Sequence, residues 1–243
     1  MDNEMKGKKN RNRLDQLIRM DFREAQNWIG CGAIISLFSA IIGIAAQLGL
    51  CKKLFYTGIF GEGEALYESL PVTPRELAIS KIYVATAGIT IMNLVSVIAA
   101  FLVSQIFAGG ATIGQKLSIV IRTKAPDSLA ATELPLYMAL DAIDFVVSAM
   151  SLSVLVFAGI VWYCTREENK KGLAVKIADV IVVFGLWQIV NLPVGFTALE
   201  NINAFLPVVM IIVVKLSAVV LLIPWILKKI DGRQDISDRG DQA

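Results

Sequence analysis

Long apolar runs alternate along this chain with short polar connections. Five runs, at 28–50, 82–108, 136–164, 177–199 and 204–227, each hold 20 or more mostly apolar residues. A helix rises about 1.5 Å per residue, so about 20 such residues cross a hydrocarbon core about 30 Å thick. The runs are too long for strands, and an open sheet edge would leave backbone groups unpaired in lipid. The pattern predicts an all-α, polytopic helical membrane protein with about five transmembrane segments. The first run starts late, is long, and is followed by no A-x-A-like site, so it is not read as a secretory signal. Ahead of it, Leu14, Ile18, Phe22, Ala25 and Ile29 fall on one helical face while Arg19, Arg23 and Glu24 fall elsewhere. That spacing predicts an N-terminal amphipathic helix at the membrane interface. The chain so divides into a basic tail with that helix (1–27), a transmembrane domain (28–227) carrying a cytoplasmic loop (51–81), and a polar C-terminal tail (228–243).

Composition supports a membrane setting. The 243 residues are 56% hydrophobic and 18% charged, against about 45–50% and 25% in soluble domains. This excludes a nucleic-acid-binding domain, a disordered chain and a secreted disulfide scaffold, and no nucleic-acid partner is expected. Histidine is absent, which removes the commonest general base and the usual zinc ligand. No metal site, cofactor or catalytic residue is expected, and the chain does not read as an enzyme. Cys31, Cys51 and Cys164 share no C-x-x-C spacing and read as small buried hydrophobes.

Charge does not settle the topology of the first run. Lys and Arg accumulate on the cytoplasmic side of membrane proteins. If all five runs cross, the two sides receive ten and twelve of these residues. If the first run dips in and returns, they receive 19 and three. Charge favours the second arrangement. The 23 residues of the run, however, are long enough to cross once and too short to cross twice, so the sequence leaves the question open. The last four runs read as two hairpins with both ends cytoplasmic.

The most informative stretch is the loop GEGEALYESLPVTPRELAISK, residues 61–81. Thr73 fits a helix N-cap, Pro74 the first helical position, and Glu76 the third position of a capping box. The helix begun there runs into the second span. Before it, Leu66 and Leu70 lie four apart and are flanked by Glu62, Glu64 and Glu68, which makes a short amphipathic helix ended by Pro71.

An acidic-Gly turn, a short helix, and then S-L-P-V-T-x-R-E-L-x-x-S-K entering a span resembles the cytoplasmic loop of bacterial ABC-2-type transporter permeases. Residues 64–72 match that family's coupling-helix region. Arg75-Glu76-Leu77 and Ser80-Lys81 match its re-entry into the membrane, and 165–170 look like its next cytoplasmic loop. The amphipathic N-terminal helix resembles the family's elbow helix. The likeness runs roughly from residue 14 to the C-terminus, with the loop as its distinctive part. Those permeases usually have six spans, two of them before this loop, and here only one run precedes it. The resemblance implies a transmembrane permease subunit in a bacterial plasma membrane, driven by a separate ABC ATPase and paired with a second permease chain. It also implies that Glu62, Glu64, Leu66, Tyr67, Glu68 and Leu70 contact the ATPase. The alternative is a non-transporting polytopic membrane protein, such as an immunity or assembly factor.

Other motifs carry less. Residues 109–116 approach a P-loop, but Gln115 breaks the G-K step and no strand precedes it. Glu167-Glu168 lacks the Arg and His that a CAAX-type protease pairs with its acidic residues. Asp141 and Asp144 share one span, whereas an aspartyl dyad converges from two elements. Ala45-x-x-x-Gly49 is a small-residue packing seam. Lys215 interrupts the last span near the bilayer midplane, where an ionisable group costs at least about 2.5–3.5 kcal/mol and therefore calls for a partner or water. Asp144, Gln188 and Asn191 lie near its depth on neighbouring spans. They predict either an Asp144–Lys215 pair inside the bundle or a polar translocation path.

Overall fold

The computed structural model describes residues 2–36, 40–60, 72–107, 132–165 and 205–240. Among them are five α-helices: α1 Asp2–Ser36, α2 Ala40–Cys51, α3 Pro74–Phe107, α4 Leu134–Cys164 and α5 Leu206–Gly240. A π-helix, Lys52–Thr57, continues α2. No strand occurs among the described residues. Pro74–Ala99, Leu134–Cys164 and Leu206–Ile230 are long and apolar enough to cross a membrane. The expected all-α polytopic architecture is the one observed. The fourth run, 177–199, and the acidic loop segment 61–71 lie outside the described residues.

Pairs of contacting residues give the direction of every helix. Asp21 meets Ser80 and Lys81, Ile29 meets Gly88 and Gly32 meets Met92, and Leu17 clusters with Leu77. Each pair is separated by 59 or 60 positions, so α1 and α3 run parallel and in register. In the opposite sense, Gly32 lies against Ala46 and Gly49 against Trp28. Helix α2 therefore runs antiparallel to α1.

The run 28–50 is thus not one continuous span: α1 ends at Ser36 and α2 heads back from Ala40. Its farthest described residue, Ser36, is level with Ser96 of α3, about 22 Å beyond Lys81. This agrees with the 19-to-three division of basic residues and accounts for a run too short to cross twice. The small-residue seam takes a particular form. Ala46 and Gly49 face α1, while Ala45 is exposed.

Helix α4 runs antiparallel to α3. Ser153 shares a 3.0 Å hydrogen bond with Thr86. Four residues on, Phe157 stacks on Phe55 of the π-helix, with ring centroids 4.3 Å apart; that helix leads to Gly58 beside Lys81. Helix α5 runs parallel to α4. Tyr137 meets Phe205, Asp144 meets Lys215 and Trp162 meets Trp225, in ascending order on both. Thr165 and Phe205 consequently lie at opposite ends of the bundle. The buried side chains of α1, α2, the π-helix, α3, α4 and α5 join in one apolar cluster. Gly88 lets α1 approach α3, since a Cβ there would lie 2.6 Å from Leu50 and 3.1 Å from Ile29.

Aromatic pairs mark both ends. Trp162–Trp225 sits at the basic end and Tyr137–Phe205 at the other, with ring centroids 6.2 and 6.3 Å apart. The 25 residues from Tyr137 to Trp162 span about 37 Å. That matches a hydrocarbon core of about 30 Å plus part of each interface, where such residues concentrate.

The reading of α1 as an amphipathic interfacial helix needs two corrections: α1 stands alongside the spanning helix α3 instead of lying at the interface, and it buries a different face. The segment is helical, but the face it buries is Leu17, Asp21, Ala25 and Ile29, and Phe22 is 38% exposed. A carboxylate on the buried stripe displaced the apolar count by one position, because Asp21 has cationic and hydroxyl partners waiting on α3. The cysteines also differ from one another: Cys51 is buried, Cys164 half-buried and Cys31 exposed.

Candidate functional site

Among the described residues, two charged clusters sit between the apolar helices. The first is near the middle of the bundle. Lys215 Nζ donates to Asp144 Oδ1 at 2.8 Å and to Ser148 Oγ at 2.7 Å. The sequence places Lys215 ten residues from both Phe205 and Trp225, which puts it midway between the aromatic ends. Asp144 and Ser148 lie four apart on α4 and so share a face. The Lys215 side chain is 3% exposed and that of Asp144 25% exposed, so the carboxylate is the partner that solvent or a solute can reach. Asp141 and Ser151 continue the same face of α4 at helical spacing. Ser151 Oγ satisfies itself on the Ser148 carbonyl at 2.9 Å.

The second cluster lies near the basic end. Asp21 of α1 and Lys81 of α3 pair at 3.1 Å, and both side chains are 0% exposed. Ser80 Oγ donates to the other carboxylate oxygen of Asp21. Gly58, just past the π-helix, makes room for the ammonium: a Cβ there would lie 2.6 Å from Lys81 Nζ. Three separate segments, α1, the end of the π-helix and the start of α3, therefore close around one charge pair. Between the clusters, Gln47 Nε2 donates to Asn93 Oδ1 at 2.6 Å, joining α2 to α3.

The entry to α3 carries the expected cap. Glu76 N donates to Thr73 Oγ1 at 3.2 Å, and Thr73 N donates to Glu76 Oε2 at 2.9 Å. This reciprocal pair satisfies two backbone donors at the helix start. Replacing Thr73 by alanine is expected to cost about 1 kcal/mol. Thermal unfolding in detergent measures it, and Thr73→Ser should recover most of the loss.

Of the residues singled out from sequence, the structure brings together Asp144 with Lys215 and Thr73 with Glu76. Gln188 and Asn191 lie outside the described residues, as do Glu62, Glu64, Leu66, Tyr67, Glu68 and Leu70. Sequence reasoning missed Asp21, Ser80 as a ligand of it, and Ser148. Asp21 carried a usable signal, a lone acid between Leu17 and Ala25 on a four-residue repeat. Lys81 was counted with the loop charges and is instead buried. Comparison of the chain with family models, curated proteins and solved structures finds no match.

Proposed function

We propose that this chain is the membrane-embedded permease subunit of an ABC-2-type transporter, driven by a separate ATPase and working as a pair of membrane chains. In this reading the membrane is the bacterial plasma membrane and the basic end faces the cytoplasm, as the 19-to-three distribution of Lys and Arg favours.

The observation that carries the proposal is the clamp at the basic end. A permease without a nucleotide site has to be moved by contact with its ATPase, and that contact has to be joined stiffly to a span. In sequence, segment 61–71 joins Phe60 to Val72, immediately before the capped start of α3. Two turns further in, the Asp21–Lys81 pair ties α3 to α1. A push on that segment would move α1 and α3 together. Leu66, Tyr67 and Leu70 would form the apolar anchor on the ATPase, and Glu62, Glu64 and Glu68 would orient it at the rim. Asp144 and Lys215, with Gln188 and Asn191 near their depth in the sequence, would line the translocation path.

The test is purification of the tagged chain from its native membranes, with ATP hydrolysis measured in the eluate. Wild type should bring down an ATP-hydrolysing subunit. The double variant Leu66→Asp, Tyr67→Asp should lose it while keeping the melting profile of the folded chain. Equal ATPase recovery from the double variant overturns the coupling role. A wild-type chain that purifies without ATPase activity favours the non-transporting alternative.

A further inference from the structure

One face of α1 points the wrong way for lipid. Its buried stripe, Leu17, Asp21, Ala25 and Ile29, packs on α3. The opposite stripe is Arg19, Arg23, Gln26, Asn27 and Gly30, and every one of these residues is exposed. The α1–α3 register places this stripe at a known depth. Ser153 is level with Thr86, so Trp162 is level with Leu77 and with Leu17. Arg19 and Arg23 lie two and six residues further in, within the reach of side chains that snorkel to the interface. Gln26 and Asn27 lie nine and ten residues in, about 15 Å by helix rise. Their side chains are too short to reach the headgroups from there. Exposed amides at that depth cost several kcal/mol in hydrocarbon, because nothing in it can hydrogen-bond them. The stripe also ends abruptly. Ile34 and Ile35, one turn past Gly30, are exposed and apolar.

We infer that the outward face of α1, from Arg19 to Gly30, is the wall of a water-filled recess that opens at the basic end, reaches the bilayer midplane and admits small anions. Arg19 and Arg23 lie just inside its mouth and make that stretch electropositive, with exposed Asp15 one turn outside Arg19 and Glu24 to one side. Water satisfies Gln26 and Asn27 there, and the recess stops where Ile34 and Ile35 return the surface to lipid. The inference rests on depth, exposure and side-chain length, and stands whether or not an ATPase docks on this chain.

The test uses the full chain with Cys31, Cys51 and Cys164 replaced by serine, in vesicles that present the basic end outward. Single variants Asn27→Cys and Gln26→Cys are compared with Val97→Cys, an exposed apolar position on α3. Charged, membrane-impermeant methanethiosulfonate reagents attack only a thiolate in water. Positions 26 and 27 should therefore react at least about tenfold faster than position 97. The anionic reagent should also gain several-fold on the cationic one relative to Thr73→Cys outside the membrane, and Arg23→Glu should reverse that gain. Labelling at 26 and 27 by a lipophilic maleimide alone would show a lipid-facing surface and overturn the inference. Spontaneous disulfide linkage between two copies at position 27, without reaction with the charged reagents, would overturn it in favour of a chain–chain contact.

Discussion

Replacing Asp21 by alanine is expected to destabilise the protein by about 3–5 kcal/mol, and replacing Lys81 by alanine should do the same. Each change removes one member of a buried ion pair and leaves the other charge in place among buried side chains. At 3.1 Å the attraction between the two is about 5 kcal/mol for an effective dielectric constant near 20. The cost of stripping water from both ions is several kcal/mol each, so the intact pair contributes little net stability. Removing both charges is therefore a much smaller perturbation than removing one. The double variant Asp21→Leu, Lys81→Met should lie within about 1–2 kcal/mol of wild type. Denaturant-induced unfolding in bicelles measures all three. If the double variant loses as much as the two single variants combined, the charges do not act on each other and the clamp is not what joins α1 to α3.

The legibility of this clamp shows what single-sequence reading can reach. Run length and polarity were enough for the three helices long and apolar enough to cross, Pro74–Ala99, Leu134–Cys164 and Leu206–Ile230, because in lipid a backbone must satisfy itself and only helices of sufficient length can do so. The cap at Thr73 and Glu76 was legible because it is local: residue types three apart settle it. The fold-back of run 28–50 was half legible. Charge counting pointed to it, but length argued against it, because length distinguishes crossing from not crossing only when a helix is unbroken. What shows α1 and α2 to be antiparallel is Trp28 resting on Gly49 and Gly32 on Ala46, which are contacts between residues more than a dozen apart.

The buried stripe of α1 was misplaced for a related reason. An apolar count assigns charged residues to the surface, and that is the right default unless a partner is buried with them. Asp21 is 59 and 60 positions from its partners Ser80 and Lys81, and no local pattern reports a contact at that distance. Lys215 was the opposite case. A lone cation inside an apolar run advertises its need for a partner, and Asp144 was the acid placed near its depth on a neighbouring span. Ser148 escaped notice because a hydroxyl costs little in a helix that can accept it on its own backbone.

The second large effect is expected at Lys215. Asp144→Ala should cost about 3 kcal/mol, since it leaves an almost fully buried ammonium midway through the bundle with the Ser148 hydroxyl as its remaining hydrogen-bond partner among the described residues. Lys215→Met should cost less. The Asp144 side chain is 25% exposed and keeps some access to water, while methionine fills the volume that the lysine stem occupied. The double variant Asp144→Ala, Lys215→Met should cost less than the two single losses added together, by at least about 1 kcal/mol. Strict additivity in a double-mutant cycle would show that the 2.8 Å contact carries no coupling. The same cycle separates a structural pair from a working one. If the pair only holds α4 against α5, a double variant that recovers stability should also recover the activity of the purified assembly. If the pair lines the route of a transported solute, stability recovers and activity does not. Two charges in the middle of a bilayer are a costly way to pack two helices, and the transport function proposed above expects the second result.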